Sequence, residues 1–460
     1  MGCPKAEGLS PKAAPAAPRE RGFSREHALT SLLIKNGRII DPASNLDQVS
    51  DLLIENGKVT RIEKDIRHPV DQRLDASALI VAPGFIDLHV HLREPGREDE
   101  ETIESGSQAA AAGGVTTICC MPNTNPVNDN PAVTSYLLKE AERRAVTRIF
   151  PIGAISLGSA GEHLAEIGEM VNAGAVGITD DGKPVMNGQL MRRAMEYSLP
   201  FGIPVIEHCE DLFLSAHGVM NEGYYSTVLG LKGISRTAED TMAARDIILA
   251  RLTGAHIHIA HLSTRGALEL VREAKRNGIH VTCEVTPHHF SLSDAACCEY
   301  DTNTKMNPPL RSEDDVQAVI EGLADGTVDC IATDHAPHNP NEKMLEFDHA
   351  PFGITGLETA VGLALTHLYH SGKITLRRLV ELFSAKPARI INKPLGRLTV
   401  GAEADVTLFS AGAQWAYDVK QTKSRSRNTP FDGKRLKGQV AATIVAGKIA
   451  YQDLSLVNVG

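Results

Sequence analysis

Histidine and aspartate residues stand at the ends of several apolar segments of this 460-residue chain. The segments concerned close on Asp87-Leu88-His89-Val90-His91, Thr179-Asp180-Asp181, Glu207-His208, His258-Ile259-Ala260-His261 and Thr333-Asp334. Imidazole and carboxylate are the ligands of catalytic zinc sites that keep one position open for water. The set therefore indicates metal-assisted hydrolysis.

The first of these segments has the spacing of a strand. Side chains alternate along a strand, so Asp87, His89 and His91 are expected on one face. A lone His-x-His pair is a weak indication of a metal site. The pair gains weight because the other segments can deliver their ligands to the same place.

The elements that must position these groups are apolar segments followed by helical ones. Near-continuous apolar strands alternating with helices are typical of a parallel sheet, and eight such units predict a closed (β/α)₈ TIM-type barrel whose strand ends share one mouth. A doubly wound open sheet is the alternative. The eight predicted strands are residues 84–91, 115–122, 148–156, 175–180, 203–209, 256–262, 280–286 and 329–334.

The two ends of the chain share a different pattern. Leu32–Ile39, Leu52–Val59 and Thr443–Ile449 each read as a strand, a turn with glycine and a second strand, which predicts three hairpins. We therefore expect one small β domain built from residues 30–82 and 393–460 around a barrel of residues 83–392. Residues 1–29, rich in Ala and Pro, are expected to be a disordered extension.

Composition limits the classes of partner. Hydrophobic residues make up 42% and charged residues 23%, and the net charge of −10 argues against nucleic acid or anionic membranes as partners. No run of about 18 apolar residues predicts a membrane span, and residues 1–29 lack the apolar core of a signal peptide. The eight cysteines lack a disulfide framework, and Cys209 and Cys283 sit in apolar runs, so buried thiols and a cytoplasmic location are expected.

Several longer motifs stand at or near the predicted strand ends. They are Pro83–His91, Met121–Thr124, Thr179–Gly182, Met306–Arg311 and Asp334–His338, together with His208 and His261. These motifs resemble the amidohydrolase superfamily and, within it, the bacterial class I dihydroorotases. The resemblance spans about residues 31–452 and implies reversible cyclisation of N-carbamoyl-L-aspartate to dihydroorotate, a step in pyrimidine biosynthesis.

The resemblance implies two zinc ions per subunit. His89 and His91 would hold the first and His208 and His261 the second. Many relatives bridge the two metals with a carboxylated lysine at the end of strand four. This chain has no lysine in that strand, and the match to the branch that uses an aspartate makes Asp181 the bridge between the metals. Asp180 and Lys183 remain rivals. Asp87 is expected to orient a ligand histidine.

The resemblance also gives roles in catalysis and substrate binding. Asp334 would contact the first metal and carry the proton from the attacking water to the departing amide nitrogen. Arg93, placed by alternation on the face of His91, would clamp the substrate carboxylate. Further substrate contacts are implied at Asn123, Asn307, His338, Phe352 and Gly353.

Two other readings compete with this one. A hydantoinase, dihydropyrimidinase or allantoinase would share the chemistry, but the missing strand-four lysine and the presence of Arg93 with Asn123 argue against it. A catalytically dead scaffold for aspartate carbamoyltransferase should have lost metal ligands, and every matched ligand is present. The resemblance implies a homo-oligomer and possible assembly with aspartate carbamoyltransferase.

Overall fold

The structure, a computed structural model, describes residues 31–457. The predicted extension of residues 1–29 lies outside the described residues. Within them a β unit from both chain ends packs beside a barrel. None of the helices in residues 31–457 combines the length and the apolar character needed to span a bilayer.

The β unit is an eight-stranded sheet built from the first and last segments of the chain. The strands are β1 (Ser31–Asp41), β2 (Leu46–Glu55), β3 (Lys58–Glu63), β4 (Gln72–Asp75), β5 (Ile80–Pro83), β15 (Val406–Ala416), β16 (Arg435–Val445) and β17 (Lys448–Gln452). β5 pairs with β15 and so joins the N-terminal strands to the C-terminal ones, in the order β17-β16-β15-β5-β1-β2-β3 with β4 beside β1. The aliphatic side chains of this sheet form a core of their own.

Two of the three predicted hairpins form, and one prediction is wrong. β2–β3 and β16–β17 turn at Gly57 and Gly447, both with positive φ. Residues 32–39 instead lie within the single strand β1, where the Asn-Gly pair makes an irregularity in the pairing with β2. Asn36 takes a positive φ of 61° there, and its N–H donates to Asp51. A bulge thus absorbs the residues that elsewhere make a turn.

The barrel is closed by eight parallel segments, which confirms the predicted fold class. Seven are strands: β6 (Phe85–Val90), β7 (Val115–Cys120), β8 (Arg148–Pro151), β9 (Val205–Glu207), β12 (Ile257–Ile259), β13 (Val281–Val285) and β14 (Cys330–Ile331). In the described chain the fourth position, predicted as a strand over 175–180, is filled by Ile178, which bridges Gly153 on one side and Val205 on the other. A bridge from Val90 to His335 closes the ring.

Helices cover the outside of the barrel and supply its connections. Between β9 and β12 the chain also forms a two-stranded ribbon, β10 (Met220–Asn221) with β11 (Gly233–Ile234). The α-helices are α1 (Ile103–Ala112), α2 (Pro131–Arg144), α3 (Ile167–Ala173), α4 (Gly188–Ser198), α5 (Leu212–Ser215), α6 (Tyr224–Leu229), α7 (Thr237–Thr253), α8 (Arg265–Arg276), α9 (Pro287–Ser291), α10 (Glu313–Asp325), α11 (Pro340–Lys343), α12 (Ala360–Ala364), α13 (Leu376–Phe383) and α14 (Ala385–Ile390).

Candidate active site

Four histidines surround the carboxylate of Asp181 at the mouth of the barrel. Asp181 Oδ1 lies 3.3 Å from His89 Nε2, 3.5 Å from His261 Nε2 and 3.8 Å from His208 Nδ1. Its other oxygen, Oδ2, lies 3.5 Å from His91 Nε2. All five side chains are buried. One carboxylate is therefore within reach of both predicted histidine pairs.

Asp334 lies on the side of the first pair. Its Oδ1 is 3.0 Å from His91 Nε2 and 3.5 Å from His89 Nε2. Asp334 and His261 follow β14 and β12 with φ of 48° and 31°, a region that non-glycine residues rarely adopt. Such backbone strain is concentrated at functional sites, because surrounding structure must impose it.

The donor atoms fit metal ions. Among the described residues, His89 Nε2 and Asp181 Oδ1 are buried without a hydrogen-bond partner, although they face each other. The described residues contain four groups of three whose donor atoms all lie within 4.8 Å of one another, and two of these groups, His89–Asp181–His261 and His89–His91–Asp334, are at this mouth. Buried polar atoms left unpaired are costly, and cations placed among these donors would remove that cost.

Glu284, the last residue but one of β13, fixes the orientation of His89. Its Oε1 lies 2.8 Å from His89 Nδ1 and its Oε2 lies 3.2 Å from His258 Nε2. Burial opposes ionisation of Glu284, but the hydrogen bonds from His258 and His89 lower its pKa to about 2. The carboxylate accepts from His89 Nδ1, which leaves the Nε2 lone pair directed at the site.

Two more of the predicted ligand histidines have such outer partners. His91 Nδ1 lies 2.9 Å from Asn123 Oδ1, and His208 Nε2 lies 3.0 Å from Glu210 Oε2. The nitrogen of each ring that faces Asp181 or Asp334 is thereby the one available to a cation. Neither Glu284 nor Glu210 was predicted from the sequence to hold a ring in place. A charged residue inside the apolar run Val281–Val285 was the signal for Glu284, since buried charges need partners.

Asp87 does not orient a ligand ring, contrary to the expectation. Its carboxylate accepts from the backbone N–H of His89 at 3.1 Å and from the Thr333 hydroxyl at 2.6 Å. The contact ties the first strand to the eighth, directly before Asp334. Burial raises the pKa of Asp87 to about 6.

The two rivals of Asp181 point elsewhere. Asp180 accepts hydrogen bonds from the backbone N–H groups of Ile155 and Ser156, at 2.8 and 3.1 Å, and from the Ser156 hydroxyl. Lys183 is exposed to solvent. Alternation at the end of the fourth segment therefore turns only one of the two aspartates inward.

The surrounding histidines favour the ionised form of both inward carboxylates. Burial opposes the charge on Asp181, but the adjacent His89, with His261 and His91, holds the pKa of that carboxyl well below its usual range. Asp334 behaves alike, because His89 and His91 outweigh its burial and lower its pKa. Charged carboxylates are the form that binds cations and accepts protons.

Arg93 lies at the site, but strand alternation does not place it there. β6 ends at Val90, and Arg93 has a φ of 61° in the following loop. Its Nε donates to the Pro337 carbonyl at 3.0 Å and lies 3.2 Å from Glu100 Oε2, while Nη2 is 3.4 Å from His338 Nε2. The largely buried guanidinium is thus oriented by Glu100, a residue for which the sequence predicted no role.

The other predicted substrate residues lie in loops around this arginine and the predicted metal ligands. Asn307 Nδ2 donates to Glu210 at 2.9 Å, beside His208. His338 Nε2 lies 2.7 Å from the Phe352 carbonyl. Gly353, with φ of 112°, follows at a position where a Cβ atom would come within 2.6 Å of the Ala336 Cβ.

His335, expected to be a structural neighbour, contacts Glu101 and not the metal ligands. Its Nε2 lies 3.2 Å from Glu101 Oε2, and its Nδ1 accepts the Gly356 N–H at 3.1 Å. His258 points into the barrel, where it contacts Thr282 and Glu284. Both rings have buried partners of their own.

This chain is similar to known proteins over most of its length. A family described as dihydro-orotase-like matches residues 78–267. The dihydroorotases of Solibacter usitatus and Syntrophus aciditrophicus are 56% and 53% identical, each over 92% of this chain and 99% of the relative. Among solved structures, the L-hydantoinase (dihydropyrimidinase) of Arthrobacter aurescens has a TM-score of 0.82 at 25% identity, covering 91% of this chain and 96% of that one.

The two kinds of similarity differ in depth. The hydantoinase shares the fold of this chain, but only a quarter of the aligned residues are identical. In the dihydroorotases more than half of the aligned residues are identical, over nearly the whole length of each relative. Identity of that extent over full-length relatives fixes membership. The chain belongs to the dihydroorotase family.

Proposed function

We propose that this protein is a metal-dependent dihydroorotase that interconverts dihydroorotate and N-carbamoyl-L-aspartate. The observation that carries the proposal is Asp181, whose two oxygens lie within 3.8 Å of one nitrogen of each of His89, His91, His208 and His261. A carboxylate shared by two histidine pairs suits a pair of cations better than one.

Two zinc ions are the proposed metals. His89 and His91 would hold the first together with Asp334, His208 and His261 would hold the second, and Asp181 would bridge them. Imidazole nitrogen and carboxylate oxygen are the ligand types of catalytic zinc. When bound, the metals lower the pKa of water and polarise the carbonyl oxygen of the ring amide.

Asp334 is the proposed proton carrier. Its ionised carboxylate is the base that accepts a proton as water attacks the ring carbonyl. It then delivers that proton to the ring nitrogen as the carbon–nitrogen bond breaks. Ring closure runs the same steps in reverse, with water released as the amide bond forms.

The carboxylate of the substrate is proposed to lie against Arg93. The planar guanidinium forms two parallel hydrogen bonds with a carboxylate. Asn123 and Asn307 stand beside the two histidine pairs, and His338 with Phe352 and Gly353 lines the remaining side. These residues would hold the ring in place between Arg93 and the ligand histidines.

The alternatives fit less well. The fold is shared with a hydantoinase, but the sequence relatives at 50–56% identity are dihydroorotases. A scaffold without catalysis does not require four histidines and two carboxylates to converge in a buried site. The likeness supports a hydrolase of a cyclic amide in either case, and dihydroorotate is the preferred substrate.

Assembly and location follow as further proposals. We propose a homo-oligomer in the cytoplasm, with aspartate carbamoyltransferase as a candidate partner. The buried Cys209 and Cys283 are free thiols, which fits a reducing compartment. Measuring the molecular mass of the chain alone in solution tests the homo-oligomer. The same measurement on a mixture with aspartate carbamoyltransferase tests the complex between the two proteins.

The decisive experiment measures turnover of dihydroorotate, hydantoin and dihydrouracil together with zinc content. We expect the purified chain to prefer dihydroorotate, and Asp334→Asn to lower kcat by about 1,000-fold or more, since general acid–base catalysis contributes up to about 10⁴. Asp314→Asn, an exposed carboxylate beside Arg265, is the matched control. Preference for hydantoin or dihydrouracil by the wild-type protein would refute the proposal.

A further inference from the structure

Asn428 reaches the active site from the β unit. It belongs to a segment of residues 422–429, here called the crossing segment, in the connection between β15 and β16. The segment follows the barrel in the sequence and is not part of it. Asn428 is nevertheless buried, with 5% of the residue exposed. A buried amide must find partners, and those of Asn428 are all in the loops that follow β14.

The amide of Asn428 contacts two chain segments at once. Its Nδ2 donates to the carbonyls of Ala336 at 2.9 Å and Gly353 at 3.1 Å, and its Oδ1 accepts the His338 N–H at 3.1 Å. Its own carbonyl accepts the Thr355 N–H at 2.9 Å. Both amide hydrogens and the amide oxygen are therefore engaged.

The two segments joined by Asn428 are those that carry the proposed substrate residues. They already touch through a bridge between His335 and Ile354 and through the contact of His338 with the Phe352 carbonyl. The close approach of Gly353 to Ala336 leaves no space for a side chain. Small shifts of either segment would therefore displace His338 and Phe352 together.

The rest of the crossing segment contacts Glu100 and Glu101, in the loop between β6 and α1. Ser424 donates to Glu101 at 2.5 Å, the Arg425 N–H donates to the same carboxylate at 3.1 Å, and Ser426 donates to the Glu100 carbonyl at 2.7 Å. Glu100 orients Arg93, and Glu101 contacts His335. One segment of the β unit thus contacts both Glu100, which orients Arg93, and the loops that carry His338 and Gly353.

We propose that Asn428 is a positioning residue for substrate binding, acting through His338 and Gly353. The inference rests on the proposed function, since it concerns how the same site holds dihydroorotate. It also assigns a role to the β unit, which supplies none of the proposed metal ligands. Because Asn428 contacts the substrate loops and not the metal ligands, its loss should alter KM far more than metal content or kcat.

The test is the Asn428→Ala variant of the full chain. We expect KM for dihydroorotate to rise about 10-fold, the change that corresponds to one buried hydrogen bond, with kcat within about 3-fold of wild type and unchanged zinc content. Hydrogen–deuterium exchange followed by mass spectrometry should show faster exchange in residues 335–356. If Asn428 contributed only to the stability of the fold, KM would stay unchanged, and residues 335–356 would not exchange faster than the rest of the protein.

Two further variants keep the test decisive. Asn392→Ala is the control, because its Nδ2 also donates to a backbone carbonyl, that of Gly202, away from the substrate loops. Asn428→Asp preserves the shape and the acceptor for His338 while removing both donors, so it should raise KM even if the alanine variant fails to fold.

Unchanged KM and exchange in a folded Asn428 variant would overturn the inference. A wild-type protein that binds zinc but does not turn over dihydroorotate would instead overturn the proposed function. The exchange of residues 335–356 would then still decide whether Asn428 positions them.

Discussion

The guanidinium of Arg93 lies against the carboxylate of Glu100, with 3.2 Å between Nε and Oε2. Burial opposes charge on both groups. His338 and Arg93 nevertheless lower the pKa of Glu100 to about 2. Arg93 also donates to the Pro337 carbonyl. The arginine is therefore fixed in the folded protein before any substrate binds, and such preorganisation lowers the entropic cost of binding a carboxylate.

Replacing Arg93 with methionine should cripple turnover while the metals stay bound. Loss of one partner of a buried charged pair costs about 2–5 kcal/mol, or about 30-fold to several thousand-fold in kcat/KM. Arg93→Lys should recover only part, because an ammonium group cannot form the paired hydrogen bonds of a guanidinium. Steady-state kinetics on dihydroorotate with zinc analysis tests this. Near-normal efficiency of the methionine variant would place the carboxylate clamp elsewhere.

Asp181→Asn should lower metal content and activity together. The asparagine keeps the shape but removes the charge that both histidine pairs share, so we expect a loss of about one zinc per subunit. Asp180→Asn is the matched control, because Asp180 binds the Ile155 and Ser156 backbone and should leave zinc content unchanged. Elemental analysis of both variants decides. Bicarbonate-dependent activity, or carboxylation of Lys183 by intact mass, would contradict the assignment.

Glu284→Gln should weaken metal binding without removing a ligand. The neutral amide no longer stabilises the proton on His89 Nδ1, and loss of such outer partners costs about 10- to 100-fold in metal affinity. Competition with a zinc chelator measures the change. Asp51→Asn, a buried carboxylate of the β unit that accepts from the Asn36 and Ile66 N–H groups, is the control. Equal zinc affinity in Glu284→Gln and wild type would show that His89 needs no such partner.

Much of the site could be predicted because strands impose a local rule. Alternation predicts that His89 and His91 share a face, and the common mouth of a barrel predicts that Asp334, which follows another strand, lies near them. The rule fails where strands end: Arg93 lies in a left-handed turn, so its position depends on Glu100 and not on periodicity.

Contacts between distant parts of the chain could not be predicted. Glu284 meets His89 across 195 residues, and Asn428 meets His338 across 90. Tertiary packing creates these pairs, and local propensity carries no information on them. The irregularity in β1 is a smaller case, since an Asn-Gly pair suits a bulge as well as a turn and only the pairing with β2 decides.

Two buried lysines lie beside the proposed substrate loop, and the stability of the protein is expected to depend on pH because of them. Lys343 Nζ donates to the carbonyls of Pro351 and Gly353, and Lys305 Nζ donates to those of Phe347 and Asp348. Burial, with the neighbouring Lys305, lowers the pKa of Lys343 to about 7 from its ordinary value of 10.5.

Because the folded-state pKa lies below the unfolded value, between about pH 7 and 10.5 the unfolded chain binds a proton that the folded chain lacks. The contribution of Lys343 to the free energy of unfolding therefore rises with pH across that window and is smallest below pH 7. The free energy of unfolding of the wild type minus that of Lys343→Met should therefore increase by up to about 1.4 kcal/mol per pH unit from pH 7 to 9.5. Urea denaturation at a series of pH values measures it, with Lys139→Met on the exposed side of α2 as the control for a lost surface lysine. A difference that is flat, or that shrinks as pH rises, would show that Lys343 stays charged in the folded protein.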